Sequence, residues 1–221
     1  MGELKNIVTP LHESTKRDYL ARMVDEKVQC MKTAKQYGKD YWDGDRRHGY
    51  GGYKYMPGRW KPVAEDMINH YDLKSGDKIL DIGCGKGFLL YEMKLLNPEI
   101  EVFGLDISSY AIENCKEELK DSLYEGNANN LPFDDNYFDY VFSINTFHNL
   151  HCYDLESALL EMNRVSKQKQ YICVESYRNE IEKANLLYWQ VTCEAFNDPE
   201  EWSWWFKKTD YKGDFSFICF E

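Results

Sequence analysis

Nowhere among the 221 residues does an apolar run approach the 18 or so positions that a membrane-spanning helix needs. Met1–Pro10 also lacks the apolar core of a secretory leader, so a cytoplasmic protein without membrane contact is expected. Positive charge is scarce: 27 Lys and Arg stand against 38 Asp and Glu, a formal net charge of −11. Such a surface repels a phosphate backbone, which argues against nucleic acid as a partner. Seven cysteines, at positions 30, 84, 115, 152, 173, 193 and 219, contain no C-x-x-C pair, and an odd number cannot all pair internally. Reduced, mostly buried thiols and no metal site are therefore expected. Repeats and low-complexity tracts are absent too, and the length suits one sizeable core rather than two. Aromatics, in contrast, are plentiful: 17 Tyr, 11 Phe and 6 Trp in a chain that is 43% hydrophobic predict a folded domain with an aromatic-rich interior or cleft.

The most informative stretch is Ile79-Leu80-Asp81-Ile82-Gly83-Cys84-Gly85-Lys86-Gly87. A mostly apolar run, Lys78 to Ile82, stops at three glycines in alternation, and a helix-like segment, Phe88 to Leu96, follows at once. This is the pattern of a buried parallel strand, a tight loop and a helix start. One glycine suffices for a turn; three in alternation indicate backbone that a ligand approaches closely. A dinucleotide fingerprint, G-x-G-x-x-G, would need glycine where Phe88 stands. The acidic residue, the apolar residue and the G-x-G-x-G triplet resemble the first motif of class I S-adenosylmethionine-dependent methyltransferases, and the resemblance runs over roughly residues 60 to 176.

Before that loop, Leu20, Met23, Val24, Val28 and Met31 recur at helical spacing between Ser14 and about Gln36, with Thr15 and Asp18 as a capping box. One amphipathic helix is expected there, packed on the core or acting as a lid. Tyr41 to Tyr55 mixes four glycines with aromatics and charges and should be a loop that binds something. Residues 1–58 thus read as a helix and a Gly/Tyr-rich cap, and 59–221 as the main body of the same domain. Arg59–Tyr71 reads as a helix. Strands at 101–105, 122–125, 138–144 and 170–174 then alternate with helices at 109–119 and 155–165, which argues for a parallel sheet with helices on both faces. Further on, Leu186–Glu194 reads as a strand, Asp198–Lys208 as a capped helix and Asp214–Phe220 as a last strand. The resemblance implies a single-domain, Rossmann-like α/β fold, with a seven-stranded, mostly parallel sheet and an antiparallel final strand.

Ligands of open parallel sheets bind beyond the carboxyl ends of the strands. By the resemblance, the cofactor S-adenosylmethionine (product S-adenosylhomocysteine) would contact Asp81, Gly83, Cys84, Gly85 and Gly87, then Asp106 and Ile107, then Asn127, Ala128 and Asn145. Asp106 stands 19 residues beyond Gly87, placed for ribose hydroxyls. Asn127 occupies the place where the family usually has an acid, although an amide oxygen still accepts from the adenine amine. Methyl transfer needs alignment of two bound molecules and, for a hydroxyl acceptor, a base. His148, after the fourth strand, and Glu175, after the fifth, are the candidate catalytic groups, with His151 behind them. Arg46, Arg47, His48, Tyr50 and Tyr53 in the glycine-rich loop, with Asn149, Tyr177 and Arg178, are candidates for the acceptor. Guanidinium groups favour carboxylate or phosphate. Trp202, Trp204 and Trp205 are candidates to roof the pocket.

The expected activity is transfer of a methyl group to a small, polar, anionic acceptor, phosphorylated or carboxylated, by a monomer or homodimer. The Tyr41–Tyr55, Asn145–Leu150 and Glu175–Asn179 segments resemble a subgroup of bacterial methyltransferases from capsule and surface-polysaccharide loci, which implies O-methylation of a sugar, a sugar nucleotide or a phosphoramidate. N- or carboxyl-methylation, including the isoaspartyl type, and a non-catalytic cofactor-binding subunit remain as alternatives.

Overall fold

A computed structural model describes residues 1–50 and 53–221; Gly51 and Gly52 of the expected loop lie outside the described residues. The chain opens with α1 (Thr9–Glu13), α2 (Tyr19–Val24), α3 (Lys27–Ala34) and α4 (Lys39–Trp42), followed by a 3-10 turn at Arg46–His48. Then come α5 (Lys61–His70), β1 (Lys78–Ile82), α6 (Phe88–Leu96), β2 (Glu101–Asp106), α7 (Ser109–Glu113) and β3 (Leu123–Glu125). The second half comprises β4 (Phe138–Ile144), α8 (Cys152–Val165), β5 (Ser166–Glu175), α9 (Glu180–Trp189), α10 (Pro199–Lys208) and β6 (Asp214–Ile218). Among the described residues no helix is long and apolar enough to cross a membrane.

The strands form one sheet in the order β3-β2-β1-β4-β5-β6, and every pairing is parallel. Strand alternation splits the apolar residues between two cores. Ile79, Tyr140 and Tyr171 face one side with Met67, Leu90, Met93 and Leu186. Leu80, Val141 and Ile172 face the other with Leu155, Leu159, Met162, Trp202 and Phe206. The winding reverses between β1 and β4, so the carboxyl ends of β1, β2, β4 and β5 share one edge.

Three expectations are corrected. The sheet has six strands among the described residues, not seven, and its last strand runs parallel. Leu186–Glu194 is the cause: Leu186 to Trp189 ends a helix rather than forming a strand. Asn179 accepts from the amides of Ile181 and Glu182 and starts that helix, and Glu182, Leu186 and Trp189 bury one helical face. With α9 and α10 between them, β5 and β6 are joined by a crossover and lie parallel. The outer edge of β6 is met by the N-terminal segment: Leu4 bridges Phe215 in parallel, and the Lys5 amide donates to the Phe215 carbonyl at 2.8 Å. The expected helix over 14–36 is two, broken at Asp25 and Glu26, where Glu26 has φ +42°. Leu20, Val24 and Val28 point to solvent, while Arg22 is buried between the carbonyls of Trp189, Arg46 and Gly49. Arg22 ties α2 to the body, and α3 packs there through Cys30, Met31 and Ala34 against Tyr41 and Val191. Asp18 alone caps α2, through the Ala21 amide.

Because α9 begins on one side chain, Asn179→Ala should lower the free energy of unfolding by about 1 kcal/mol, read from the midpoint shift in urea.

Candidate active site

The glycine loop leaves β1 with all three glycines at positive φ. The amides of Gly83 and Cys84 both donate to the Leu105 carbonyl, at 2.7 and 3.1 Å, which fastens the loop to the end of β2. At Gly83 a Cβ would collide with the Thr146 side chain, and at Gly85 it would stand 2.7 Å from the Trp42 ring. The cap therefore presses directly on the loop. Trp42 Nε1 donates to Ser108 Oγ at 2.8 Å, and Lys86 Nζ and Tyr110 Oη converge on Asp43 at 2.7 and 2.9 Å.

Two carboxylates sit at the strand ends beside this loop. Asp106 accepts from the Gly85 amide at 2.8 Å and the Ser108 amide at 2.9 Å, and its pKa is nevertheless raised because burial outweighs them. Asp81 is deeper. Burial, and then the charge of Asp106, push its pKa well above the ordinary range, and its Oδ1 is enclosed with no hydrogen-bond partner. A buried carboxylate oxygen without a donor is costly and marks a place for a cationic or N–H-bearing group.

Both carboxylates line a cavity of about 480 Å³ that continues past β4 and β5. Ile107, Asn127, Ala128, Arg59 and Trp60 line it; at its far end, over β5 and away from β2, are Glu175 and His148 with Tyr50, Trp189, Arg17 and His12. Tyr55 Oη and the Gly58 amide donate to buried Glu92 of α6 at 2.9 and 3.0 Å, which holds the segment carrying Arg59 beside the helix that follows the glycine loop. The far end centres on Glu175, buried at the tip of β5. Burial raises its pKa to about 8, against weaker opposing effects of Arg17 and Gln190. Gln190 Nε2 donates to Glu175 Oε2, and Gln190 Oε1 accepts from Tyr50 Oη. His148 Nδ1 accepts from the Glu175 amide at 3.3 Å, so the neutral ring carries its proton on Nε2, 3.5 Å from Glu175 Oε2. Burial lowers the His148 pKa to about 3.

The Methyltransferase domain family model matches residues 73–210, more than half of the chain. The chain belongs to the methyltransferase-domain family. Demethylmenaquinone methyltransferase of Staphylococcus carnosus is 34% identical over 152 residues, 62% of each chain. The YcgJ protein of Bacillus subtilis superposes with a TM-score of 0.55 at 22% identity over 66% of both chains. A Haloferax volcanii protein solved in complex with the Trm112 methyltransferase activator gives 0.54 at 20% identity, over 88% of this chain and 76% of that one. At these identities the structural likenesses carry the fold alone. The chain spans 62% of the length of the Staphylococcus carnosus relative and 40% to 64% of that of several other curated relatives.

The cavity gathers all ten residues expected at the methyltransferase cofactor except Gly87, which instead starts α6 in a left-handed conformation with φ +71°. Cys84 is there as a half-buried thiol, its pKa raised by desolvation and the two carboxylates. His148, Glu175, His151, Asn149, Tyr50 and Tyr53 also line it. Five acceptor candidates do not. Arg47 is paired with Asp25 and Glu26, and Arg178 with Glu182 and Glu221. Arg46 lines a second cavity, of about 270 Å³, with Lys54. His48 closes the 3-10 turn, and Tyr177 is buried beneath Lys183. Asp25 and Glu26 thus engage Arg47, and the rest of the cluster that looked like an anion site in sequence lies outside this cavity. Trp202 is core, its Nε1 donating to the Glu175 carbonyl at 3.0 Å, and the aromatic walls are Trp60 and Trp189 instead. Arg17, His12 and Arg59 were missed because nothing in their local pattern distinguishes them; only long-range packing brings them to the cavity.

Asp81→Asn removes a destabilised buried charge, so the ligand-free variant should melt higher than the parent at pH 8. The same change should weaken S-adenosylhomocysteine binding at least tenfold, about 1.4 kcal/mol by calorimetry.

Proposed function

We propose that this chain transfers a methyl group from S-adenosylmethionine to a small acceptor whose reacting atom loses a proton to Glu175. The observation that carries the donor is Asp81 Oδ1, enclosed and unpartnered at the glycine loop. It fits the ammonium of the methionine part. Arg59 fits the adjacent carboxylate, Asp106 retains free lone pairs for ribose hydroxyls, and Ile107 and Asn127 flank the place for adenine. Bound there, S-adenosylmethionine supplies an electrophilic methyl on a sulfonium, which needs no metal or acid.

The chain's own task is alignment and deprotonation. Glu175 is suited to the second: its pKa of about 8 makes it a far better proton acceptor than an ordinary carboxylate. His148 acts as its positioning partner. The ring holds the Glu175 amide through Nδ1 and offers Nε2–H toward the carboxylate, and a pKa near 3 leaves it little capacity to take the acceptor's proton itself. Tyr50 and Gln190 hold the other side of the carboxylate.

An O-methylated small polar acceptor, the wider class to which sugars, sugar nucleotides and phosphoramidates belong, is supported by the polar far end, where Arg17, His12 and Glu175 line the cavity. A planar aromatic acceptor is the second reading. The Trp60 and Trp189 walls favour it, as does the name of the relative that acts on demethylmenaquinone. Incubation with labelled donor and a panel of nucleotide sugars, small hydroxylated acids and quinols separates the two, and no turnover on any pool would instead favour a non-catalytic cofactor-binding subunit.

With an active acceptor in hand, kcat/KM should fall about tenfold per pH unit below pH 8, as Glu175 becomes protonated. Glu175→Gln should lower kcat by about 10²-fold or more; full activity in that variant would instead indicate a carboxyl acceptor that needs no base. The linked stability effect has a definite sign. A folded pKa of about 8 against an ordinary 4.5 favours the protonated fold, so this contribution is complete below pH 4.5 and lost as pH rises through 8. Relative to Glu175→Gln, the parent protein should lose melting temperature between pH 5 and 9.

A further inference from the structure

We propose that Arg17 and His12 form the docking point for a carboxylate carried by the acceptor, at the end of the cavity away from the glycine loop. This rests on the methyl-transfer reading above and adds the chemical class of the acceptor. His12 lies in the last turn of α1 and Arg17 in the segment between α1 and α2, and both line the cavity with Glu175 and Trp189.

Arg17 differs from the arginines that are paired with acids. Arg47, Arg164 and Arg178 each hold a carboxylate within 2.8 Å, whereas no carboxylate among the described residues lies within ion-pairing distance of Arg17. Its Nη1 donates to the Thr15 carbonyl at 3.0 Å, and its Nη2 donates to His12 Nδ1 at 3.0 Å. The guanidinium carbon lies 5.5 Å from the centre of the Trp189 ring and 5.2 Å from that of Phe220, so aromatic faces fix its plane. Its Nε is enclosed and unpartnered.

The contact from Arg17 also sets the tautomer of His12. With Nδ1 accepting, the proton of the neutral ring sits on Nε2, a second enclosed donor that makes no well-formed hydrogen bond, the nearby Cys219 carbonyl being only a weak opposing influence on the ring's pKa. Leaving such N–H groups poorly met is costly, and a ligand with two acceptor oxygens relieves the cost. Burial, and then the charge of Arg17, lower the His12 pKa to about 3, so the pair carries one positive charge. One charge and two donors match a carboxylate. A phosphate dianion would leave excess negative charge beside Glu175 in a wall built of Val8, Leu11 and Trp189. The location also separates this site from the donor. Arg17 stands with Trp189 and Phe220, beyond β5, whereas Arg59 is held near α6 beside the glycine loop. Because Arg17 lowers the Glu175 pKa, a carboxylate seated on Arg17 would relieve that effect and make Glu175 the stronger base once the acceptor is bound.

Calorimetry on protein saturated with S-adenosylhomocysteine, using benzoate, benzamide and phenyl phosphate as probes, tests the site. Benzoate should bind in the millimolar range and benzamide at least tenfold more weakly. Arg17→Gln should weaken benzoate at least tenfold and His12→Ala severalfold, with S-adenosylhomocysteine affinity within about twofold of the parent in both. Four results would each overturn the assignment: benzoate affinity unchanged in both variants, benzamide equal to benzoate, phenyl phosphate tighter than benzoate, or no benzoate binding to the cofactor-loaded protein. A folded Arg17→Gln protein that loses S-adenosylhomocysteine would overturn it too, by placing Arg17 on the donor. Failure of the parent protein to bind S-adenosylhomocysteine is the distinct outcome that removes the methyl-transfer reading and this inference together.

Discussion

Two carboxylates buried side by side, Asp81 at β1 and Asp106 at β2, impose the conditions that the surrounding structure meets. Isolated ionised carboxyls in an apolar interior are strongly disfavoured. The Gly85 and Ser108 amides answer Asp106, which requires the loop to fold back with left-handed glycines. Asp81 receives no such answer at Oδ1, and the chain accepts a raised pKa there. On the proposed reading, binding energy would be drawn from the instability at that point, since a cationic ligand group would relieve a cost already present in the fold.

The same logic recurs at the other end of the cavity with different partners. Glu175 has a buried carboxylate whose neighbours, Gln190 and His148, are polar but uncharged, so its pKa rises toward neutrality. A full ion pair at that place would have lowered the pKa and removed the basicity. Arg17 is close enough to temper the shift without abolishing it.

Local pattern made the first part of this legible. The buried strand Lys78–Ile82, the alternating glycines and an acid at the end of the next strand are each encoded within a few residues, and they assemble as the periodicity implies. The parallel α/β alternation as far as β5 was legible for the same reason. Where contacts come from afar, sequence misleads. The α2 apolar stripe faces solvent because Arg22 finds three carbonyls from distant segments. Arg46, Arg47 and His48 looked like a ligand cluster, yet local charges and turn geometry engage them outside the main cavity, while the isolated Arg17 and His12 reach it. Leu186–Glu194 carried enough apolar and β-branched residues for a strand, and one capping side chain, Asn179, turned its first part into a helix.

The pairing of Gly2–Lys5 with β6 has a consequence for the order in which the molecule can assemble. Glu3 and Asp214 are joined by a hydrogen bond across 211 positions, and Tyr19 Oη reaches the Glu221 carbonyl across 202. Contacts of such separation carry the largest loop-closure entropy and form slowly. The glycine-loop half of the cavity comes from a contiguous β-α-β unit and needs none of them. A chain caught part-way through folding would therefore own a nucleotide-sized cradle open to water on one flank, and the wall bearing Arg17 and His12 would be the last to arrive.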